Sequence, residues 1–249
     1  MKKKLSVYGT CDIGLKKPNN EDMIMLGDEI FRDGSRRCEF DADKKVAIAI
    51  ADGIGGFEKG EIASETVLHR LRDFFSKMPD GLQNEDLQKA FNVYTEETHS
   101  SIEQGGSTLV GLLAYQDKVF RYHAGDSRIY LLRDGGLRRL TIDHSVKESG
   151  GDPNAKSNLI TNSFGGGKNV FIEFAEIEQP FLDGDIYLLS SDGLHDLVPP
   201  DIITDTLLVP EAECDEAYAE KLLALAKAAG GKDNISIITI KISEDRNGH

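Results

Sequence analysis

The stretch Val46-Ala47-Ile48-Ala49-Ile50-Ala51-Asp52-Gly53-Ile54-Gly55-Gly56 organises this chain. Its first six residues are small or β-branched with no polar break, the pattern of a strand buried on both faces. It then stops at an aspartate followed by four positions, three of them glycine. A carboxylate at the mouth of a buried strand is held on a rigid element, and glycines beside it let a ligand approach the main chain. The competing reading is an Asp-Gly turn that closes a hairpin. The rest of the chain decides between them.

On the N-terminal side, residues 5–11 alternate as a first strand, and Pro18, Asn19 and Asn20 mark 12–22 as a loop. Residues 23–26 resume a strand, and the charged segment 27–45 is expected to form an irregular hairpin. On the C-terminal side, Ala63, Val67, Leu71 and Phe74 recur at helical spacing until Pro79 and Gly81 end the run. A second helix starts near Asn84, with Glu85 and Asp86 in its first turn and Leu87, Phe91 and Tyr94 on its apolar face. Strands follow over 107–115, 119–124 and 128–133, then a polar loop over 144–157. Further strands are read at 170–177 and 185–191, a short helix from Pro199-Pro200, a longer one over 216–229, and a last strand at 235–242. Strands and helices in blocks, joined by hairpin turns, predict an α+β protein of antiparallel sheets covered by helices. One domain over 1–243 with a polar tail at 244–249 is expected.

Composition narrows the function. With 39% hydrophobic residues among 249, a sizeable core is available. The 29 basic against 43 acidic residues give a net charge of −14, which argues against a nucleic-acid partner. Convergent carboxylates on such a chain can hold hard cations such as magnesium or manganese. No apolar run is long enough to cross a bilayer, and the basic Met1-Lys2-Lys3-Lys4 leads into a strand-like segment instead of an apolar signal core. The expectation is a cytoplasmic monomer. Cys11, Cys38 and Cys214 are odd in number and lack CxxC spacing, so neither a disulfide framework nor a zinc site is expected.

Four acidic signals share one placement. Asp52 and Asp192 each end an apolar strand and precede glycine, Asp233 stands just before the final strand, and Glu21-Asp22 just before the second. Carboxylates at strand ends can converge on one edge of a sheet although they are far apart in sequence. With water and an occasional main-chain carbonyl they form the ligand set of octahedral Mg²⁺ or Mn²⁺.

In order, the chain carries Asp12-x-Gly14, Asn20-Glu21-Asp22, Asp52-Gly53-x-Gly55-Gly56, Gly106-Ser107-Thr108, Gly125-Asp126-Ser127-Arg128, Leu140-Thr141-x-Asp143-His144-Ser145, Ser191-Asp192-Gly193-Leu194-x-Asp196 and Asp233-Asn234. This series resembles the metal-dependent PPM (PP2C-type) serine/threonine protein phosphatases, in particular their small bacterial members. The resemblance implies a four-layer α-β-β-α sandwich with a dinuclear Mg²⁺/Mn²⁺ centre where the two sheets meet at one edge. It implies that Asp52 bridges two ions and that the Gly53 carbonyl ligates one. It places Asp192 and Asp233 on the first ion, Glu21 on the second, and Asp22 as the group that orients water. A third, weaker metal would fall to Asp126, Asp192 and Asp196. The implied reaction is hydrolysis of phosphoserine or phosphothreonine in protein substrates by in-line attack of a metal-activated water, opposing a serine/threonine kinase.

Structural roles are expected for Asn20, Asp143, Asn234, His144 and Ser145, and local hydrogen bonding for His123 and His195. Two departures from the family pattern stand out. Ile54 occupies the place of a histidine proposed as general acid in eukaryotic members and cannot transfer a proton. Lys17 replaces an arginine that grips the substrate phosphate, keeping the charge and losing the bidentate fork. Residues 146–157 are shorter than the helical flap of related bacterial enzymes, which implies a more open cleft. A catalytically impaired binding scaffold of the same fold and a small-molecule phosphomonoesterase are the alternative readings.

Overall fold

A computed structural model of the chain describes residues 2–55, 59–148, 159–178, 181–209 and 215–244. The N-terminal half contains β1 (Lys3–Asp12), β2 (Met23–Leu26), β3 (Glu29–Phe31), β4 (Gly34–Asp41), β5 (Val46–Ala51), β6 (Gly53–Ile54), α1 (Lys59–Lys77) and α2 (Asn84–Ser101). It continues with β7 (Gly106–Ser107), β8 (Leu109–Tyr115), β9 (Lys118–Ala124), β10 (Arg128–Arg133), β11 (Gly136–Arg139) and β12 (Glu173–Glu176). The remainder is β13 (Ile186–Ser190), α3 (Asp192–His195), α4 (Pro200–Leu208), α5 (Asp215–Ala228) and β14 (Ile235–Glu244).

The alternation within β5 sets the layering. Val46, Ile48 and Ile50 face one way, into a core shared with Leu5 and Val7 of β1, Leu131 of β10, Leu189 of β13 and Ile238 and Ile240 of β14. Ala47, Ala49 and Ala51 face the other way, against Val67, Leu68 and Leu71 of α1 and Leu87 and Phe91 of α2. Branched side chains thus fill the space between two sheets, and alanines let the helices sit close. One antiparallel sheet has the order β11-β10-β13-β14-β1-β4 and the other β12-β9-β8-β5-β2-β3. A third core, with Tyr8, Leu188 and Ile237 on one side and Ile203, Leu222 and Ala226 on the other, joins the first sheet to α3, α4 and α5. The result is the expected α-β-β-α sandwich.

The structure departs from the expected elements in several places. Segment 27–45 is not a hairpin: β3 pairs with β2 in one sheet and β4 with β1 in the other, so the chain crosses between layers there. The strand read at 107–115 is split at Thr108, because Gly106–Ser107 leaves to pair with Gly53–Ile54. That same pairing overturns the hairpin reading of Asp52-Gly53, since the chain runs onward from β5 and does not fold back on it. Asp192 opens the short helix α3 and does not end a strand, and only Glu173–Glu176 of 170–177 is strand. Strand β14 runs through Glu244, one residue into the expected tail, whose remainder lies outside the described residues, as does Cys214. Most of the expected loop at 146–157 lies outside them too. Among the described residues no helix is long and apolar enough to cross a membrane.

Phe91 is the hub of the helix-facing core. It is fully buried, with ring centroids of Phe74, Phe75, Tyr94, Tyr122 and Phe174 at 4.6–6.0 Å. Phe91→Ala should cost about 3–5 kcal/mol in urea unfolding. A loss below about 1 kcal/mol would show that this aromatic layer does not hold α2 to its sheet.

Candidate metal centre

The period of two that builds the inter-sheet core also aims two carboxylates. Ile48 and Ile50 face between the sheets, and Asp52 is next in that row; Ile24 and Leu26 face the same space, and Asp22 precedes them. Both aspartates therefore cap the core at the same edge. Cys11, buried at 1% exposure, and Ser236 form the floor, with Asn20 Nδ2 and Ser236 Oγ donating to the Cys11 sulfur at 3.3 and 3.2 Å. Burial pushes the Asp22 carboxyl up to about 6, even though the hydroxyls of Ser236 and Ser191 face it and pull the other way. Burial also holds Asp52 well above the usual carboxylate range, reinforced by Asp22, Asp192, Asp126 and Asp233.

Loops deliver the other acids. Asp192 stands at the start of α3, and burial together with Asp126 and Asp233 raises its pKa well above the ordinary value. A Cβ on the neighbouring Gly193 would stand 1.9 Å from the Asn234 carbonyl oxygen, so only glycine lets α3 touch the loop that carries Asp233. Asn234 ties that loop to Glu21: its Oδ1 accepts from the Glu21 N–H at 2.9 Å, and its Nδ2 donates to the carbonyls of Ile13 and Asn19. Glu21 is buried against Gly60 in the first turn of α1, and its carbonyl accepts from Ser64 Oγ at 2.6 Å. Gly53 is buried against the Gly60 carbonyl.

Asp126 and Asp196 line a smaller cavity of about 80 Å³ with Arg128, Asp143, Ser145, Lys147, Glu148 and His195. Burial and the nearby Asp143 push Asp126 up to about 6. Asp143 itself takes a two-pronged bond from Arg128, at 2.9 Å from Nε and 2.5 Å from Nη2. His195 is buried with Nδ1 at 3.0 Å from Ser190 Oγ, a local hydrogen bonder as expected.

Lys17 is half-buried beside the cleft. Its ammonium is 2.5 Å from Asp233 Oδ1, while Lys16 is exposed. Burial pulls the Lys17 pKa down, but the bond to Asp233 and the charges of Glu21 and Asp52 more than offset it. Residue-type reasoning gave Thr108 no role, yet its Oγ1 accepts from the Asp52 N–H at 3.1 Å and meets Ser127 Oγ at 2.8 Å. It thereby joins the loop of Asp52 to that of Asp126. Only its place in the Gly106-Ser107-Thr108 triplet signalled it.

Three buried oxygens of this cluster, Glu21 Oε1, Asp22 Oδ2 and Asp126 Oδ1, have no hydrogen-bond partner. An anionic oxygen buried without a donor is costly unless a cation meets it. An all-carboxylate donor set suits Mg²⁺ or Mn²⁺. The residues present fit such ions.

Comparison with known proteins agrees with this geometry. A family model described as Protein phosphatase 2C matches residues 12–150. Serine/threonine protein phosphatase PstP of Mycobacterium tuberculosis is 29% identical over 93% of this chain, which spans only 44% of that relative's length. Protein phosphatase PhpP of Streptococcus pneumoniae is 29% identical, covering 94% of this chain and 96% of its own. A crystal structure of the catalytic domain of PstP in complex with two manganese ions superposes with a TM-score of 0.70 at 30% identity, covering 96% of this chain and all of that one. With the family model matching more than half of its residues, the chain belongs to the protein phosphatase 2C family.

Proposed function

We propose that this protein is a metal-dependent serine/threonine protein phosphatase that hydrolyses phosphoserine and phosphothreonine in protein substrates. The observation that carries the reading is the set of buried, unpartnered oxygens on Glu21, Asp22 and Asp126 in the cleft that also gathers Asp52, Asp192 and Asp233. Glu21, Asp52, the Gly53 carbonyl, Asp192 and Asp233 would hold two divalent ions, Mg²⁺ or Mn²⁺, and Asp126 and Asp196 with Asp192 a third. When bound, such ions lower the pKa of water and neutralise phosphoryl oxygens. Asp22, faced by the hydroxyls of Ser191 and Ser236, orients the attacking water through its free Oδ2. Lys17 takes a phosphate oxygen of the substrate. Ile54 has no transferable proton, so the leaving alkoxide is protonated by water or by another group of the site. An opposing serine/threonine kinase would generate the substrates, and the net charge of −14 argues against nucleic acid. We place the protein in the cytoplasm as a monomer over 1–243.

The test is a manganese titration with p-nitrophenyl phosphate and a phosphothreonine peptide side by side. Hydrolysis of both, with the peptide preferred, supports the reading. Preference for small phosphomonoesters, or no turnover at saturating manganese, sinks it. Asp192→Asn should abolish turnover while leaving the circular dichroism spectrum unchanged; wild-type-like rates in that variant would remove Asp192 from the centre.

Lys17→Ala should lower kcat/KM about ten- to a hundredfold, chiefly through KM, because a charge-assisted contact contributes about 1.5–3 kcal/mol. Lys17→Arg should retain or improve it, and Lys16→Ala should change little. Equal, small effects at both lysines would return Lys17 to the role of a loop residue paired with Asp233.

Carboxyl pKa values near 6 have a consequence for the metal-free protein. The native state keeps protons on Asp22 and Asp126 that the unfolded chain, titrating near 3.8, has released. The resulting destabilisation is absent below the unfolded pKa, grows as pH rises between the two values, and is complete above the native pKa. It is about 1–3 kcal/mol per group. Asp126→Asn should therefore raise the melting temperature in a chelator by several degrees at neutral pH and by little near pH about 4. A stabilisation independent of pH would refute the electrostatic cause.

A further inference from the structure

His123, His144 and Glu173 bring three ligand-type atoms within 4.8 Å of one another, the make-up of a transition-metal site. The hydrogen bonds around them say otherwise. The Gly125 N–H donates to His144 Nδ1 at 3.1 Å, and Asn162 Nδ2 lies 2.7 Å from the same atom. Asn162 cannot be turned round, since its Oδ1 accepts from the Phe171 N–H and its Nδ2 donates to the Phe171 carbonyl. With two donors facing Nδ1, the His144 proton must reside on Nε2, which lies 3.4 Å from Glu173 Oε1. A metal at the trio would need the Nε2 lone pair that this proton occupies. His123 completes the arrangement, stacked on His144 at 4.5 Å with its Nε2 donating to the Ile142 carbonyl at 3.0 Å.

His144 is thus a fixed acceptor, and what it holds is Gly125. The His144 N–H also donates to the Gly125 carbonyl at 2.9 Å, so one residue secures both polar groups of Gly125. Gly125 has φ +116°, and a Cβ there would stand 2.7 Å from Thr108, so no other residue can substitute for it. The residue before His144, Asp143, grips Arg128. Together Asp143 and His144 bracket Asp126-Ser127 on both sides, with Asp126 Oδ1 buried and unpartnered at the small cavity it shares with Asp196.

We infer that His144 is a positioning residue: through its unprotonated Nδ1 it fixes the Gly125 peptide and so aims Asp126 at a cation shared with Asp196. The inference rests on the proposed third ion, and the test separates the two. Manganese binding is measured by calorimetry on the full chain, as wild type, Asp126→Asn, His144→Gln and His144→Asn. Asp126→Asn should remove the weakest class of ion and leave the tighter ions bound. His144→Gln, which puts a polar group near Nε2 but leaves Nδ1 empty, should weaken that same class about tenfold, the scale of one lost buried hydrogen bond. The tighter ions should bind as before. His144→Asn, whose Oδ1 can stand near the Nδ1 position, should hold the weak class close to wild type.

If Asp126→Asn leaves all manganese binding unchanged, the third-ion reading fails and takes this inference with it. If Asp126→Asn removes the weak class while His144→Gln does not alter it, or if His144→Asn loses as much as His144→Gln, the positioning role alone is overturned. The imidazole ¹⁵N shifts of the wild-type protein need no variant to fold: a bare Nδ1 with a protonated Nε2 on His144 supports the arrangement, and a protonated Nδ1 refutes it.

Discussion

Burial of a cluster of carboxylates at one edge of a β-sandwich is the constraint to which everything else answers. Asp22, Asp52, Asp126 and Asp192 all have pKa values pushed above the ordinary range by burial, reinforced by neighbouring carboxylates: Asp233 for Asp22, Asp143 and Asp196 for Asp126, and other members of the cluster for Asp52 and Asp192. Such a cluster opposes folding unless the surrounding structure holds it in place. Two well-packed sheets with an apolar interior supply that hold. Lys17, lying against Asp233, supplies some of the compensating positive charge, and cations would supply the remainder.

The hold comes from both sheets at once. Asp52 and Glu21-Asp22 adjoin strands of the sheet covered by α1 and α2, whereas Asp192 and Asp233 adjoin strands of the other. Thr108 and Asn234 each stitch segments that are distant in sequence but adjacent in the cleft. Glycines at 193 and 53 remove the side chains that would keep these segments apart. The cleft is therefore a property of the sandwich edge and not of any one loop.

Much of this was legible in the residues. The rows Ile48-x-Ile50-x-Asp52 and Asp22-x-Ile24-x-Leu26 place two carboxylates on the inter-sheet side by the two-residue period alone. Helices with one apolar face were equally plain. Hidden features were those set by pairing across the chain. Strand β4 has no strong alternation, and only its docking beside β1 shows that 27–45 changes sheets. The ion pair of Lys17 with Asp233 joins opposite ends of the sequence. His144 reads as a structural residue in sequence, and only the donors around its ring reveal which nitrogen carries the proton.

Cys11 gives the centre a chemical character of its own. Its sulfur lies under Asp22, at 1% exposure, accepts two hydrogen bonds, and burial drives its pKa far above the thiol range. At neutral pH it carries no thiolate, the form that peroxides and alkylating reagents attack. The candidate metal centre thus contains a buried sulfur held as the thiol, the slowly reacting form. Peroxide therefore finds little exposed surface and little thiolate at this position.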